Sequence, residues 1–380
     1  MLRKIVWYLL LLAFLLSGAL ILPVVGEEAV TLPEAYGDLS EHIPPEVEEL
    51  LPEGLLSENA EEALEAAYAL SDWQYLLHVF LGAVGLRLDD AVTLLCTLMG
   101  LILVAAVMGK LKEGIGGTSG ELFGFCLRLA LYTAICLQTV AMLERVQIFF
   151  TQLTALMGGM IPVMGVLYAL GGNAGQAAAS QEMMLVFLGV CEYISAVVTP
   201  PVCAVCMSFS LMDAFGLRMT LSPLCGQIKR WYVSLLGLLT FLLSLALSAQ
   251  SVLVGRVDSM GMRGLKYAVG NLLPVVGGAI AGTLGTVSAG VSLLRGVAGT
   301  SGILLLMLLL LPTLAELLIL RATLSLSASG ADLLGCDGEA RLLREIASLH
   351  GYLAAAVSMC SVVFVLALAL LVHGAVAVAA

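Results

Sequence analysis

Long apolar runs separated by short polar breaks dominate the chain from residue 91 onward. A run of about 20 apolar residues crosses a bilayer core of about 30 Å as a helix. Membrane-barrel strands alternate apolar and polar residues, and these runs do not alternate; Ile303 to Leu311 is apolar throughout, up to Pro312. The pattern predicts an all-α, polytopic membrane protein. Spans are expected at Ala91 to Gly109, Leu122 to Leu143, Ile148 to Leu170, Met184 to Thr199, Tyr232 to Gly255, Asn271 to Leu294, Ile303 to Leu320 and Tyr352 to Ala380. That is about seven or eight crossings on the length criterion. Between them, Glu144-Arg145 reads as a loop. Gly158-Gly159 and Pro162 read as a break in the third span, and Pro200-Pro201 as the end of the fourth. Val202 to Phe215 is short for a span and reads as a half-helix or re-entrant piece. Trp73 to Leu86 reads as amphipathic, and Thr323 to His350 as a polar, partly amphipathic connection.

The N-terminus has a different pattern. Arg3 and Lys4 precede an apolar core from Ile5 to Leu16, and small residues close the segment at Val24-Val25-Gly26. That is the layout of a signal peptide over residues 1–26. Ile5 to Val25 is also long enough for an uncleaved anchor. On either reading the residues that follow are exported. They form an acidic segment, residues 27–90, in front of a membrane domain at 91–380. From Glu27 to Asp72 there are 14 carboxylates and no Lys or Arg. Pro45 to Leu51 and Ser57 to Leu70 are predicted as short helices, the second from the spacing of Ala60, Leu64, Ala67 and Tyr68. The charge reads as the coat of a solvated, partly disordered ectodomain; a docking surface is the alternative. Lys110 and Lys112 place the far end of the first span in the cytoplasm.

Composition fits lipid as the solvent. Of 380 residues, 60% are hydrophobic and 12% charged, about half the charge of a soluble domain, and the mean hydropathy is +1.04. Nucleic-acid binding needs a basic face, and the net charge is −11. No phosphate-binding GxxxxGK[ST] loop is present. Gly117-Thr-Ser-Gly120 and Gly299-Thr-Ser-Gly302 read as loops. The four histidines are scattered, and Cys203-Ala-Val-Cys206 reads as two small buried hydrophobes rather than a metal or redox pair. No catalytic, cofactor or metal residue is assigned, so an enzymatic role is not expected. Ionisable residues inside apolar runs are the remaining candidates: Arg128, Glu192, Asp213 and Glu316. A charge there is costly, so each is expected to face the bundle interior, an aqueous cavity or a partner. Glu192 and Glu316 lead that group.

An internal repeat is also visible. Gly158, Pro162, Val163, Gly165, Ala169, Ala177 and Ser180 fall on Gly270, Pro274, Val275, Gly277, Ala281, Ala289 and Ser292 at a constant offset of 112, and Pro200 falls on Pro312 at the same offset. Units near 122–231 and 234–343, with a final span at 352–380, follow. Repeated apolar segments interrupted by Gly and Pro are a feature of transporter-like folds. Gly278 and Gly282 form a small-residue pair suited to close helix packing.

The stretch from Arg256 to Gly302 carries a more specific likeness. Val257-Asp258-Ser259, Arg263-Gly-Leu-Lys266-Tyr267, Gly270-Asn271-Leu-Leu-Pro274-Val275-Val276-Gly277 and Leu294-Arg295-Gly296-Val-Ala-Gly299 resemble the stage III sporulation protein AE family. The order of signal, polar exported segment and multi-span remainder matches as well. The strongly acidic exported segment is a departure. The resemblance implies a membrane component of a secretion-like channel between mother cell and forespore, needed for late forespore gene expression. It implies partners in the same assembly: other stage III membrane proteins, a cytoplasmic ATPase and ring-forming proteins. The implied location is the mother-cell membrane around the forespore. A stand-alone secondary transporter and a non-conducting scaffold are the alternatives.

Overall fold

A computed structural model describes residues 32–373 apart from 49–50, 53, 58, 72, 116–117, 215–221 and 273–276. The signal reading of residues 1–26, the end of the final span at 374–380, and Pro274 lie outside the described residues. The chain opens with short elements: α1 (Glu34–Gly37), a 3-10 turn (Asp38–His42), α2 (Pro45–Glu48) and α3 (Ala60–Ser71). Long helices follow: α4 (Trp73–Ile115), α5 (Thr118–Leu170), α6 (Ala174–Tyr193), a π turn (Ile194–Val198), α7 (Thr199–Ala214), α8 (Ser222–Leu272), α9 (Gly277–Leu333) and α10 (Asp337–His373).

Among the described residues six helical stretches are long and apolar enough to cross a membrane: Arg87–Lys110, Gly124–Leu170, Ala177–Asp213, Pro223–Ala249, Gly290–Leu333 and Asp337–Val372. The expected seven or eight are not confirmed among these residues, where predicted neighbours fuse. Leu122 to Leu143 and Ile148 to Leu170 are one helix, α5, which runs through Glu144-Arg145 without a loop and through Pro162 without a break. Arg145 is tolerated in mid-helix because Glu316 of α9 pairs with it. The fourth span does not stop at Pro200-Pro201; α6 passes through the π turn into α7. Neither proline can donate an N–H to the preceding turn. The wider π turn absorbs the mismatch, and the Thr199 hydroxyl donates to the Ile194 carbonyl at 2.8 Å. Thr323 to His350 is a helical hairpin, the end of α9 and the start of α10. The Thr-Ser pairs at 118–119 and 300–301 lie in α5 and α9, not in loops.

Two turns fix the ends of the bundle. At Gly172 (φ 76°) the Asn173 N–H donates to the Tyr168 carbonyl, and at Gly335 (φ 74°) the Cys336 N–H donates to the Ala331 carbonyl, both at 2.9 Å. This six-to-one closure requires a left-handed residue, which glycine supplies without steric cost. We call the Gly172 end upper and the Gly335 end lower. The apolar stretch of α5 is 47 residues, or about 70 Å at 1.5 Å per residue, more than twice a bilayer core of about 30 Å. Arg145 sits near its middle and Glu316 near the middle of the α9 stretch. The charges form a girdle between two apolar tiers, each about as long as one bilayer is thick. In the lower tier, α4 presents Val92, Leu103, Val104 and Val107 outward. In the upper tier, Ile303–Leu310 of α9 are all buried between α5 and α10.

The acidic segment is docked rather than free. Tyr36, Leu39, Ile43, Val47 and Leu55 are buried, and α3 buries Ala60, Ala63 and Ala67. The expected solvated ectodomain is therefore corrected for Leu32–Glu48, Leu55 and α3. Its acids do coat the surface: Glu34, Asp38, Glu41, Glu48, Glu61, Glu62 and Glu65 are exposed. Alternation of apolar and acidic residues thus gives each short element one packed and one wet face. A fully buried side chain of Leu size contributes about 1.5–3 kcal/mol, so a few suffice to hold such short elements. On α5, Gly159 makes room for them; a Cβ there would lie 2.9 Å from Leu39 Cδ1 and 3.2 Å from His42 Cβ.

Candidate functional site

The girdle is the densest meeting of charge with apolar helix. Glu316 projects from α9 with its side chain 15% exposed and pairs closely with Arg145 of α5. Arg87, at the start of the α4 span, lies with Nε 3.6 Å from the same carboxylate oxygen and with Nη1 3.7 Å from Asp90. Ala91, Leu94, Gln138, Ile319 and Leu320 complete a small cleft around the group. Three helices are therefore joined at one carboxylate. Glu316 is the most covered member, so removing both arginines would strand its charge, whereas the guanidiniums are each more than a third exposed. The arrangement can fix helix register and hold a charge at mid-height, and it offers no nucleophile.

The other sequence candidates separate from this site. Arg128 of α5 donates from Nε to Glu339 of α10 at 3.0 Å, near the lower turn. Asp213 is buried near the end of α7. Glu192 does not face the interior of this chain; it is exposed on α6, between exposed Val186 and Val197. The two leading carboxylates, Glu192 and Glu316, thus share no cavity. Pro162 and Pro312 lie inside α5 and α9, and Pro200 lies in the first turn of α7. Gly278 and Gly282 belong to α9 by backbone, and their packing lies outside what is described.

Several polar residues that sequence reading passed over are central. Lys229 is on α8 with its side chain 1% exposed. Its Nζ donates to the Glu345 carboxylate at 2.8 Å, the Glu345 carbonyl at 2.9 Å and the Ser348 hydroxyl at 3.4 Å. All three ammonium donors are used, and α8 is tied to α10. Arg295 of α9 is fully buried and caps the C-terminus of α5. Its Nε donates to the Leu167 carbonyl at 3.1 Å and its Nη2 to the Tyr168 carbonyl at 3.3 Å, with the guanidinium 4.9 Å from the Tyr168 ring centre. The carbonyl end of a helix carries partial negative charge, and Arg295 meets it there. A lone charge in an apolar run was the available signal for Arg295. Arg145 was hidden because a charged pair such as Glu144-Arg145 in an apolar sequence also reads as a loop. The cysteines are unpaired, and six of them (Cys191, Cys203, Cys206, Cys225, Cys336, Cys360) are buried. No group of His, Cys, Asp and Glu suited to a metal occurs among the described residues.

Among the described residues, six long apolar helices, tied by ion pairs and backbone caps, fit a polytopic helical membrane protein. Residues 63–375 match the stage III sporulation protein AE family. The chain belongs to that family. It is accordingly a sporulation protein with helices that fit a multi-pass membrane location, in a family not known for enzymatic activity. Neither a curated protein nor a solved structure matches the chain.

Proposed function

We propose that the chain is the polytopic membrane platform of a secretion-like channel assembly between mother cell and forespore, needed for late forespore gene expression. In this reading it resides in the mother-cell membrane that surrounds the forespore. Other stage III membrane proteins, a cytoplasmic ATPase and ring-forming proteins are its partners. The observation that carries the reading is the filled centre of the bundle: Ile303–Leu310 of α9 are each 5% exposed or less. A packed single copy favours a platform or wall segment over a passage within one chain. The units near 122–231 and 234–343 fit the same scheme. Each holds an ascending and a descending limb, α5 with α6–α7 and α8 with α9, in the arrangement of parallel repeats.

Recovery of the protein from sporulating cells together with the ATPase and ring components is the expected result. Recovery alone in gentle detergent, at every growth stage, would sink the assembly reading. A stand-alone transporter needs convergent intramembrane carboxylates, and Glu192 and Glu316 do not converge. Glu192→Gln and Glu316→Gln are expected to leave sporulation intact provided the protein accumulates. Loss of sporulation at normal protein level in both would favour transport.

A further inference from the structure

We infer that the bilayer grips only the lower tier, and that the upper tier stands in water with the acidic segment packed against it. The apolar stretch of α5 is more than twice as long as a bilayer core is thick, so one tier leaves the hydrocarbon. The lower tier has the surface that suits lipid. Residues 91–109 of α4 and 193–212 of α6–α7 carry no Asp, Glu, Lys or Arg. Each run covers about 28–30 Å, the thickness of one bilayer core. Leu103, Val107, Leu137, Val205, Leu235 and Leu238 are all exposed in this tier.

Charge collects where the tiers meet. Asp89, Asp90 and Glu144 are exposed beside the girdle, and Glu192 and Tyr193 are exposed at the upper end of the α6–α7 run. The Arg87 and Arg145 side chains are 41% and 38% exposed. Charges so open are costly in hydrocarbon and at home among headgroups, and a tyrosine with its polar tip suits the same level. Above this boundary the surface is wet. Leu39 and His42 dock at Gly159, about 21 Å above Arg145 along α5, and they bring exposed Glu34, Asp38 and Glu41 with them. Carboxylates exposed at that height place water there, not lipid. Glu182 of α6 is exposed as well. Helix α8 runs on to Leu272, past the end of its apolar stretch at Ala249, and its sequence there turns charged with Arg256, Asp258, Arg263 and Lys266. Val166, Leu170, Leu185 and Val186 are the large apolar side chains exposed in the upper tier among the described residues; scattered residues of this kind are common on water-facing surfaces. The lower tier is thus a lipid-binding belt. The upper tier is a stem that rises about 38 Å above it, measured along α5 from Arg145 to Leu170. The inference does not depend on the channel reading.

Spin labels test it in the full-length protein, purified and reconstituted into vesicles of phosphatidylethanolamine and phosphatidylglycerol. Cysteine replaces exposed Val166 or Ala178 in the upper tier and exposed Leu103 or Leu137 in the lower, with Cys96, Cys126 and Cys136 changed to Ser. Oxygen concentrates in lipid, and a nickel chelate stays in water. Relaxation by the chelate is expected to be at least about tenfold stronger at 166 and 178 than at 103 and 137, and relaxation by oxygen to rank the other way. Labels at 166 or 178 that meet oxygen rather than the chelate, or that meet neither, overturn the inference. Labels at 103 or 137 that meet the chelate overturn it too. A second measurement needs no purification. Ala155→Glu, on the exposed face of α5 in the upper tier, is expected to leave accumulation of the protein in membranes unchanged. Leu137→Glu, on the exposed face of the same helix in the lower tier, is expected to cut it at least about tenfold. Loss in both variants, or in neither, overturns the assignment of the belt.

Discussion

Below the girdle, helices are tied by ionised side chains: Arg128 to Glu339 and Lys229 to Glu345. Above it, α9 and α10 approach through small residues. A Cβ on Gly302 would lie 2.9 Å from Met160 Cε and 3.2 Å from Leu368 Cδ1, and one on Gly299 would lie 3.3 Å from the Leu368 carbonyl. Arg295, a buried cation of the upper tier, gives its described hydrogen bonds to carbonyls rather than to a carboxylate. The difference follows from surroundings. An apolar interior offers a charge no partner, so close packing at small residues must hold the upper tier together. Near the lower turn, charged residues are frequent enough to pair. The tiers should therefore fail differently when perturbed.

The largest effect is expected at Lys229. Lys229→Met leaves Glu345 with its amine partner gone, at a cost of about 3–5 kcal/mol. A thermal unfolding midpoint in detergent should fall sharply, and adding Glu345→Leu should recover much of the loss. At the girdle, Glu316→Leu should cost about 2 kcal/mol, less than a fully buried pair because Arg145 is 38% exposed, with the double change Arg145→Leu/Glu316→Leu milder than either single one. A double-mutant cycle that showed no coupling would remove the girdle as a structural junction. In the upper tier, Gly302→Leu should cost about 1–3 kcal/mol through overpacking, without sensitivity to salt. The smallest effect is expected at the lower turn, where Arg344 pairs with Asp332 on the surface; Arg344→Ala should change stability by under about 1 kcal/mol.

The docked acidic segment adds a pH test. Burial pushes the Tyr36 phenol up to about 12 from its ordinary value of 10.0. A raised pKa means that the docked state binds the proton more tightly. Its contribution is complete below pH 10.0 and is lost as pH climbs through about 12. Docking, followed by the rate at which His42→Cys cross-links to Gly159→Cys on oxidation (a Cβ at 159 lies 3.2 Å from His42 Cβ), should weaken over that window, and Tyr36→Phe should abolish the dependence. An unchanged rate in the native protein would place the phenol outside the packed interface.

The membrane class, the helical nature and the family were legible because apolar content and the Lys-Tyr…Gly-Asn…Pro-Val-Val-Gly run are one-dimensional signals. Helix boundaries were not. Glu144-Arg145 reads as a loop until Glu316 is seen opposite Arg145, and Pro200-Pro201 reads as a stop until the π turn and Thr199 supply an accommodation. Glu316 reads as a charge inside an apolar run, but its partner Arg145 is more than 100 residues distant along the chain. Arg295 was quoted in a motif without a role, since its role depends on where α5 ends. The acidic segment misled in one respect: counting charges concealed the apolar positions between them, which decide its docking.

The continuity of α5 carries a consequence for sidedness. Two passes separated at Glu144-Arg145 would return the chain to the face it left; one helix delivers it to the opposite face. Every later connection changes compartment with that choice. With the acidic segment outside, α4 leads inward and α5 outward, so Gly172 lies on the outer face and Gly335 on the inner. In that orientation Arg341 and Arg344 lie on the same side as Lys110, beside exposed Asp332 and Asp337. The parity of one helix thus sets the compartment of every connection after it.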